Sequence, residues 1–192
     1  MYDFDKVCNE ILEFARENVK ESRYEHTLRT AKKTVELCEK YHLKKNDGYL
    51  AGISHDICKD FSDEEMIALA KKDGKEITEL EKAKPALLHG RCAAVLLEEK
   101  FGIRENDIIE AVQYHTFGKV GMCDLAKVLF IADKIEPGRP HVTEQYYKRL
   151  EKLTLNELMY IIVKENVDYL EKKQNSVAPQ TYKLLEWIKE KK

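Results

Sequence analysis

Apolar residues recur along almost the whole chain at the spacing of amphipathic helices. Phe4, Val7 and Ile11 mark one such stripe, and Tyr24 and Leu28 begin the next. Spacing of three and four residues places side chains on one face of a helix. Few segments alternate with the period of two expected for a strand, and none pairs with a hairpin turn. The pattern predicts an all-α fold, a bundle of about nine to ten helices around one core.

Capping and helix-breaking residues predict where these helices begin and end. Ser62 with Glu65, and Thr154 with Glu157, have the spacing of a capping box at a helix N-terminus. Glycine and proline are scarce, at eight and four residues, and they fall at the expected ends. The expected helices cover approximately residues 4–15, 24–38, 46–59, 62–73, 85–101, 106–117, 122–135, 154–173 and 179 onward.

A length of 192 residues suits one domain. We expect residues 1–192 to form a single domain whose helical core spans about residues 20–136. Within this domain, the segment 136–143, which is rich in proline, glycine and arginine, is the expected boundary between the core and the C-terminal helices. C-terminal helices at 143–190 follow it, and we expect them to close over the site.

Composition and charge disfavour a nucleic-acid-binding protein, a membrane-spanning protein and a disulfide scaffold. The 33 basic and 35 acidic residues give a net charge of −2, so no basic excess indicates a nucleic-acid partner. No apolar stretch reaches the ~20 residues that span a bilayer, and the acidic N-terminus lacks the features of a signal peptide. Five cysteines without a C-x-x-C motif disfavour disulfide scaffolds and zinc ribbons. We expect a cytoplasmic protein with buried, reduced thiols, Cys58 lying nearest to the candidate site.

Two aspartates stand in unusually apolar surroundings. His55 and Asp56 lie within the segment AGISHDICK at residues 51–59, and Asp133 ends the apolar run that starts at Val128. A buried carboxylate is costly without compensation, which a metal ion can supply. Adjacent helical residues differ by about 100° in direction, so His55 and Asp56 can reach one ion only near a helix end or with long reach. For Asp133 the alternative is a helix-end residue paired with Lys134 or Arg139.

Further histidines extend this set of candidate ligands. His89 and His115 each lie at an apolar helical stretch beside a glycine, and His26 falls off the apolar stripe of its helix. His26 is therefore either a surface residue or an internal contact. His42 and His141 lack acidic helical neighbours and are expected not to be ligands. Imidazole and carboxylate together suit iron, manganese, cobalt or zinc, as one ion or as two ions sharing a carboxylate.

The sequence also disfavours other catalytic strategies. It has no Walker-type glycine loop for ATP-driven phosphoryl transfer and no G-x-S-x-G nucleophile motif. Water activated by a divalent metal is therefore the simplest nucleophile that the candidate residues can provide.

Beyond these physical arguments, the sequence resembles a known family. Arg23-x-x-His26, His55-Asp56 and Asp133 match the signature of HD-domain metal-dependent phosphohydrolases. Four longer sequence motifs resemble those of the YqeK family. They are AGISHDICK at 51–59, LLHG at 87–90, YHTFG at 114–118 and IADKIEPGR at 131–139. That resemblance covers about residues 5–187 and departs mildly, at Ser54 and Cys58. It implies an HD-domain helical bundle that hydrolyses diadenosine tetraphosphate (Ap4A) symmetrically to two ADP, with iron or a similar divalent ion.

The resemblance also implies a role for each matching position. His26, His55, Asp56 and Asp133 would hold the first metal. His89 and His115 would hold a second ion or contact phosphate. The implied catalytic residues are Asp56, His89, His115 and Lys59. The implied nucleotide contacts are His26, Arg29, Asp56, His89, His115, Thr116, Asp133, Arg139, Gln174, Asn175, Ser176, Val177, Ala178, Pro179 and Gln180. The ordinary alternatives are a solvated helix end for Lys59 and an interhelical loop for residues 174–180.

Other functions remain open from the sequence alone. One is an HD phosphatase or phosphodiesterase that acts on another nucleotide. Another is a regulator that binds nucleotide without turning it over. A homodimer is also possible, because Tyr146, Tyr147 and Trp187 could be exposed at an interface, although packing of the C-terminal helices accounts for them equally well.

Overall fold

A computed structural model describes residues 2–192 and contains eleven α-helices in that range. No strand occurs among these residues, so the prediction of an all-α fold is confirmed. None of their helices is long and apolar enough to cross a membrane. The helices are α1 (Phe4–Asn18), α2 (Glu21–Lys40), α3 (Lys45–Ser54), α4 (Asp63–Ala70), α5 (Glu79–Ala83), α6 (His89–Glu99), α7 (Asn106–Tyr114), α8 (Asp124–Ile135), α9 (Glu144–Leu150), α10 (Leu155–Lys172) and α11 (Pro179–Lys189).

Most predicted boundaries agree with these bounds, but two predictions were wrong and two short helices were missed. Helix α3 ends at Ser54 instead of continuing to Lys59, and residues 55–60 form turns. The segment predicted to start a helix at Pro85 is a 3-10 turn, Pro85–Leu88, and α6 begins only at His89. The short helices α5 and α9 were not predicted. The capping boxes of α4 and α10 are present as predicted.

Helix α8 forms the centre of the core. Residues 125–132 are all buried, including Phe130 and Ile131, which have no exposed surface. A helix that is apolar on every side must be covered all round. Helices α2, α3, α7 and α10 supply that cover. The C-terminal end of α8, which carries Asp133, therefore lies among the ends of several other helices.

Helices α2 and α3 pack unusually close together because a glycine lies at their contact. A Cβ atom on Gly52 would lie 2.4 Å from the Cα of Ala31 and 2.9 Å from its Cβ. Only glycine permits this backbone approach. Since His26 lies on α2 and His55 directly follows α3, the contact brings these two side chains together.

The C-terminal helices are fastened to the loop that follows α7. The hydroxyl of Thr181 on α11 donates to the carbonyl of Phe117 at 2.9 Å. Gly118 has φ of 69°, and a Cβ there would lie 2.2 Å from Leu184. The turn that follows His115 therefore depends on glycine both for its backbone conformation and for the space that α11 occupies.

The close contact at Gly52 leads to a test of stability. We expect Gly52→Ala to lower the free energy of unfolding by about 1–3 kcal/mol, because the added methyl group meets the backbone of α2. Chemical denaturation followed by circular dichroism measures this change. Asn46→Ala, at an exposed position of the same helix, should change stability by less than about 0.5 kcal/mol. Equal stability of the wild type and Gly52→Ala would contradict the argument.

Candidate metal centre

Side chains from five separate parts of the chain converge at the end of α8. His26 comes from α2, His55 and Asp56 follow α3, His89 begins α6, His115 follows α7 and Asp133 lies on α8. All are buried except Asp133, whose side chain is 15% exposed. The six predicted candidates are therefore brought together. The early end of α3 places His55 and Asp56 in a turn, where adjacent residues can face one centre.

Four of these side chains form a first cluster, His26, His55, Asp56 and Asp133. The Nε2 atom of His26 lies 3.1 Å from Oδ1 of Asp133 and 3.8 Å from Oδ2 of Asp56. The Nε2 atom of His55 lies 3.7 Å from Oδ2 of Asp56 and 4.0 Å from Oδ1 of Asp133. Two imidazoles and two carboxylates thus face one small volume, a donor set that suits a divalent transition metal.

A second cluster, Asp56, His89 and His115, shares one residue with the first. Oδ1 of Asp56 lies 3.1 Å from Nε2 of His89 and 3.6 Å from Nε2 of His115, whereas Oδ2 faces the first cluster. Thr116 lies beside this cluster, with its hydroxyl 3.3 Å from Nε2 of His89. The two oxygens of one carboxylate are thus divided between two groups of imidazoles. A carboxylate in this position can bridge two cations.

The other ring nitrogen of each histidine already has a partner. Nδ1 of His55, His89 and His115 lies 2.7 Å from the carbonyl oxygen of the residue three positions earlier. Each of these histidines follows a helical turn whose last carbonyls lack a helical partner, so the Nδ1–H group caps the turn. Nδ1 of His26 donates instead to Glu136 at 3.1 Å. All four rings therefore turn Nε2 toward the centre, and the first three hold their proton on Nδ1.

These Nε2 atoms also face one another at short range. They are 3.3 Å apart between His26 and His55, and 2.9 Å apart between His89 and His115. Two lone pairs at such distances repel unless a cation or a donor lies between them. In the second cluster the Lys59 ammonium group lies 3.2 Å from Nε2 of His89 and partly offsets this repulsion. Both clusters fit a divalent ion, and the first cluster fits one better than the second.

Burial sets the protonation states that a metal site needs. It lowers the pKa of His55 to about 4 and also lowers the pKa values of His89 and His115, so these rings are neutral near pH 7. Burial opposes ionisation of Asp56 and Asp133. Contacts with neighbouring groups nevertheless hold both pKa values well below their usual range, and Lys134 is the foremost of these groups for Asp133. The imidazoles of His55, His89 and His115 and both carboxylates are therefore in their metal-binding forms.

Basic side chains outnumber carboxylates at this centre by five to three. Arg23 donates to Oδ2 of Asp56 at 2.8 Å, while Lys134 and Arg139 contact Asp133 at 3.0 and 2.6 Å. The other charged groups at the centre are the cations of Arg29 and Lys59 and the carboxylate of Glu136. A bound divalent ion adds to this positive excess, so the site favours a polyanionic ligand. Asp133 pairs with Lys134 and Arg139, as its alternative interpretation expects, and its Oδ1 also faces Nε2 of His26.

Glu136 is a functional residue that sequence reasoning missed. Its carboxylate is 2% exposed, accepts from Nδ1 of His26, and accepts from Nε of Arg29 at 2.6 Å. The backbone N–H of Gly138 is a third donor, also at 2.6 Å. Glu136 therefore fixes the orientation of the His26 ring from the side opposite Nε2. Its position one helical turn after Asp133, before Pro137, was the available signal. Arg29 is bonded to Glu136 at the edge of the site.

The predicted nucleotide-binding segment at 174–180 lies at the junction of α10 and α11. Residues 174–176 are exposed, Val177 and Gln180 are half-buried and Ala178 is buried. Gln180 lines a surface cavity with Phe117 and Gly118, directly after Thr116. The segment thus borders the loop that carries His115, through the link between Thr181 and Phe117.

Three residues considered from the sequence lie outside the two clusters. His42 is exposed at the end of α2, and His141 is exposed beside Tyr146. Cys58 is buried, and burial raises its pKa well above the usual value of a thiol. A thiol of this kind is a poor nucleophile and a poor metal ligand near neutral pH.

The chain is similar to a known domain family, to curated proteins and to a solved structure. The model of the HD domain family matches residues 23–138. The chain is 31% identical to a symmetrical bis(5'-nucleosyl)-tetraphosphatase of Bacillus subtilis, over 93% of the chain and 96% of that protein. A protein of the same description from Staphylococcus aureus is 32% identical over 90% of both chains. A solved Clostridium acetobutylicum structure, described as a predicted HD superfamily hydrolase involved in NAD metabolism, superposes with a TM-score of 0.88 at 26% identity over both whole chains.

The position of Glu136 leads to a test of metal affinity. We expect Glu136→Ala to weaken binding of Mn²⁺ or Fe²⁺ by about 10- to 100-fold, because His26 loses the partner that orients its ring. Glu136→Gln, which keeps an acceptor oxygen, should recover part of that loss. Isothermal titration of metal-depleted protein measures both values. The exposed Glu144→Gln serves as the control, and unchanged affinity in Glu136→Ala would contradict the assigned role.

Proposed function

Because the chain belongs to the HD domain family, and within it to the YqeK-type group of symmetrical bis(5'-nucleosyl)-tetraphosphatases, we propose that it hydrolyses Ap4A to two ADP with a divalent metal. The observation that carries this proposal is the division of the two Asp56 oxygens between two clusters of imidazoles. The excess of basic side chains around them matches a substrate with four linked phosphates.

We propose His26, His55, Asp56 and Asp133 as the ligands of the resident metal. His89 and His115 either hold a second ion or contact a phosphate. Iron is the ion that the YqeK-type resemblance favours, and the same donors also suit manganese, cobalt or zinc. A divalent ion held there supplies Lewis acidity and a water nucleophile near neutral pH.

The remaining residues act on the charge and position of the phosphates. Arg139 and Lys134 lie beside Asp133, and Lys59 lies beside His89, so positive charge flanks both clusters. In the proposed complex they neutralise phosphoryl oxygens, whose negative charge would otherwise repel an attacking oxygen. Arg29 extends this positive region through its pair with Glu136. Thr116 offers a hydroxyl at the second cluster, within reach of phosphate oxygens bound there.

Symmetrical cleavage requires the bond between the two central phosphates to lie at the metal centre. Each half of the substrate then leaves as ADP. We propose that residues 174–180 contact one nucleoside, because they border the loop that carries His115 and Thr116. Their polar, exposed members Gln174, Asn175 and Ser176 suit the hydroxyl and amide chemistry of a nucleoside.

The products of hydrolysis test this proposal most directly. Purified protein loaded with Mn²⁺ or Fe²⁺ should convert Ap4A to ADP alone, as measured by ion-exchange chromatography. Asp56→Asn should lower kcat by at least about 1,000-fold, since it removes charge shared by both clusters. Asp60→Asn, exposed four residues later, is the matched control. Equimolar ATP and AMP, or faster cleavage of another nucleotide in a panel, would contradict the proposed reaction.

A further inference from the structure

A cavity of about 690 Å³ opens next to the first cluster. We call it the Tyr169 pocket, and it lies between the segment after α8 and helices α9 and α10. Its volume is within the range of sites that bind small organic ligands. Asp133 belongs to its wall, so a ligand in this pocket would reach the metal centre. Residues at its walls include Asp133, Lys134, Arg139, His141, Tyr146 and Tyr169.

Two chemically different groups of residues line the Tyr169 pocket. Lys134 and Arg139 contact Asp133 and suit phosphate oxygens. The α10 wall carries Ile162, Asn166 and Tyr169, which are spaced four and three residues apart and so share one face of that helix. This wall combines a buried apolar residue, an amide and an aromatic ring. The pocket thus offers cations that match the phosphates of a nucleotide and an aromatic and amide surface that matches its base.

Two aromatic side chains that line the pocket, Tyr169 on α10 and Tyr146 on α9, are suited to stacking. Tyr169 is 59% exposed, a high value for a ring of that size. Tyr146 packs edge-on against His141, with ring centroids 5.6 Å apart, and its hydroxyl donates to Glu165 at 2.6 Å. These contacts hold the ring of Tyr146 in place before any ligand binds. Every nucleobase has a face that can stack on such rings.

From this arrangement we infer that the Tyr169 pocket binds a nucleoside of the substrate. The base stacks on Tyr169, and the Asn166 amide lies within the same wall to contact its polar edge. The carboxylate of Glu165 provides an acceptor for ribose hydroxyls. The inference rests on the proposed function, because that substrate carries two nucleosides. The segment 174–180 accounts for one of them, lies outside this pocket and leaves the other to it.

Binding measurements separate a nucleoside pocket from a mere structural role. The ligands are an Ap4A analogue with a methylene bridge between the central phosphates, and inorganic tripolyphosphate, which has no nucleoside. Both are titrated into the full-length protein with the divalent metal in excess over the ligand. Tyr169→Ala should weaken binding of the dinucleotide by about tenfold and leave tripolyphosphate binding unchanged. Tyr169→Phe keeps the aromatic ring and should bind the dinucleotide as the wild type does.

Three results would overturn the inference. They are unchanged dinucleotide binding in Tyr169→Ala, an equal loss for both ligands, and a wild type that binds the dinucleotide no more tightly than tripolyphosphate. The assay needs no turnover, so it separates the two proposals. A wild type that binds the analogue through Tyr169 but does not cleave Ap4A refutes only the proposed reaction. A wild type that cleaves Ap4A while Tyr169→Ala changes nothing refutes only the pocket.

Discussion

The buried carboxylate of Asp56 is the group on which the rest of the structure depends. An ionised carboxylate removed from water is costly unless cations or strong donors surround it. Here Arg23 contacts one of its oxygens, and four imidazoles face the two oxygens from opposite sides. The neutral rings of His55, His89 and His115 hold their proton on Nδ1 and turn a lone pair to Asp56, so these three rings cannot satisfy the carboxylate by themselves. A divalent ion satisfies both kinds of donor together, which is why the arrangement is best understood as a metal centre.

The fold supplies these ligands at little structural cost. His55, His89 and His115 each cap the carbonyl of a finishing helical turn through Nδ1, so the same residue completes a helix end and offers Nε2 to a metal. Such ends can converge only if the helices approach closely. Gly52 permits this between α2 and α3, and the wholly buried helix α8 provides the surface against which the others meet.

The sequence predicted the helical class, most helix boundaries and the candidate ligands, because these depend on local patterns. Apolar spacing and capping boxes are local, and the HD signature is a set of short words whose resemblance the comparisons confirm. The sequence did not predict the end of α3 at Ser54, which is set by the turn that His55 caps. It also missed Glu136, whose role depends on a contact with His26, 110 residues earlier. Nothing in the sequence relates His141 to Tyr146, and only the contacts of Tyr146 with His141 and with Glu165 of α10 place both at one cavity.

The most direct test of the central claim is anomalous diffraction at the absorption edges of iron, manganese and zinc, on crystals of the metal-loaded protein soaked with ADP. We predict a divalent ion bound by His26, His55, Asp56 and Asp133, with any second ion on the opposite oxygen of Asp56 beside His89 and His115. Anomalous density away from these six side chains, in crystals of protein that cleaves Ap4A, would contradict the account.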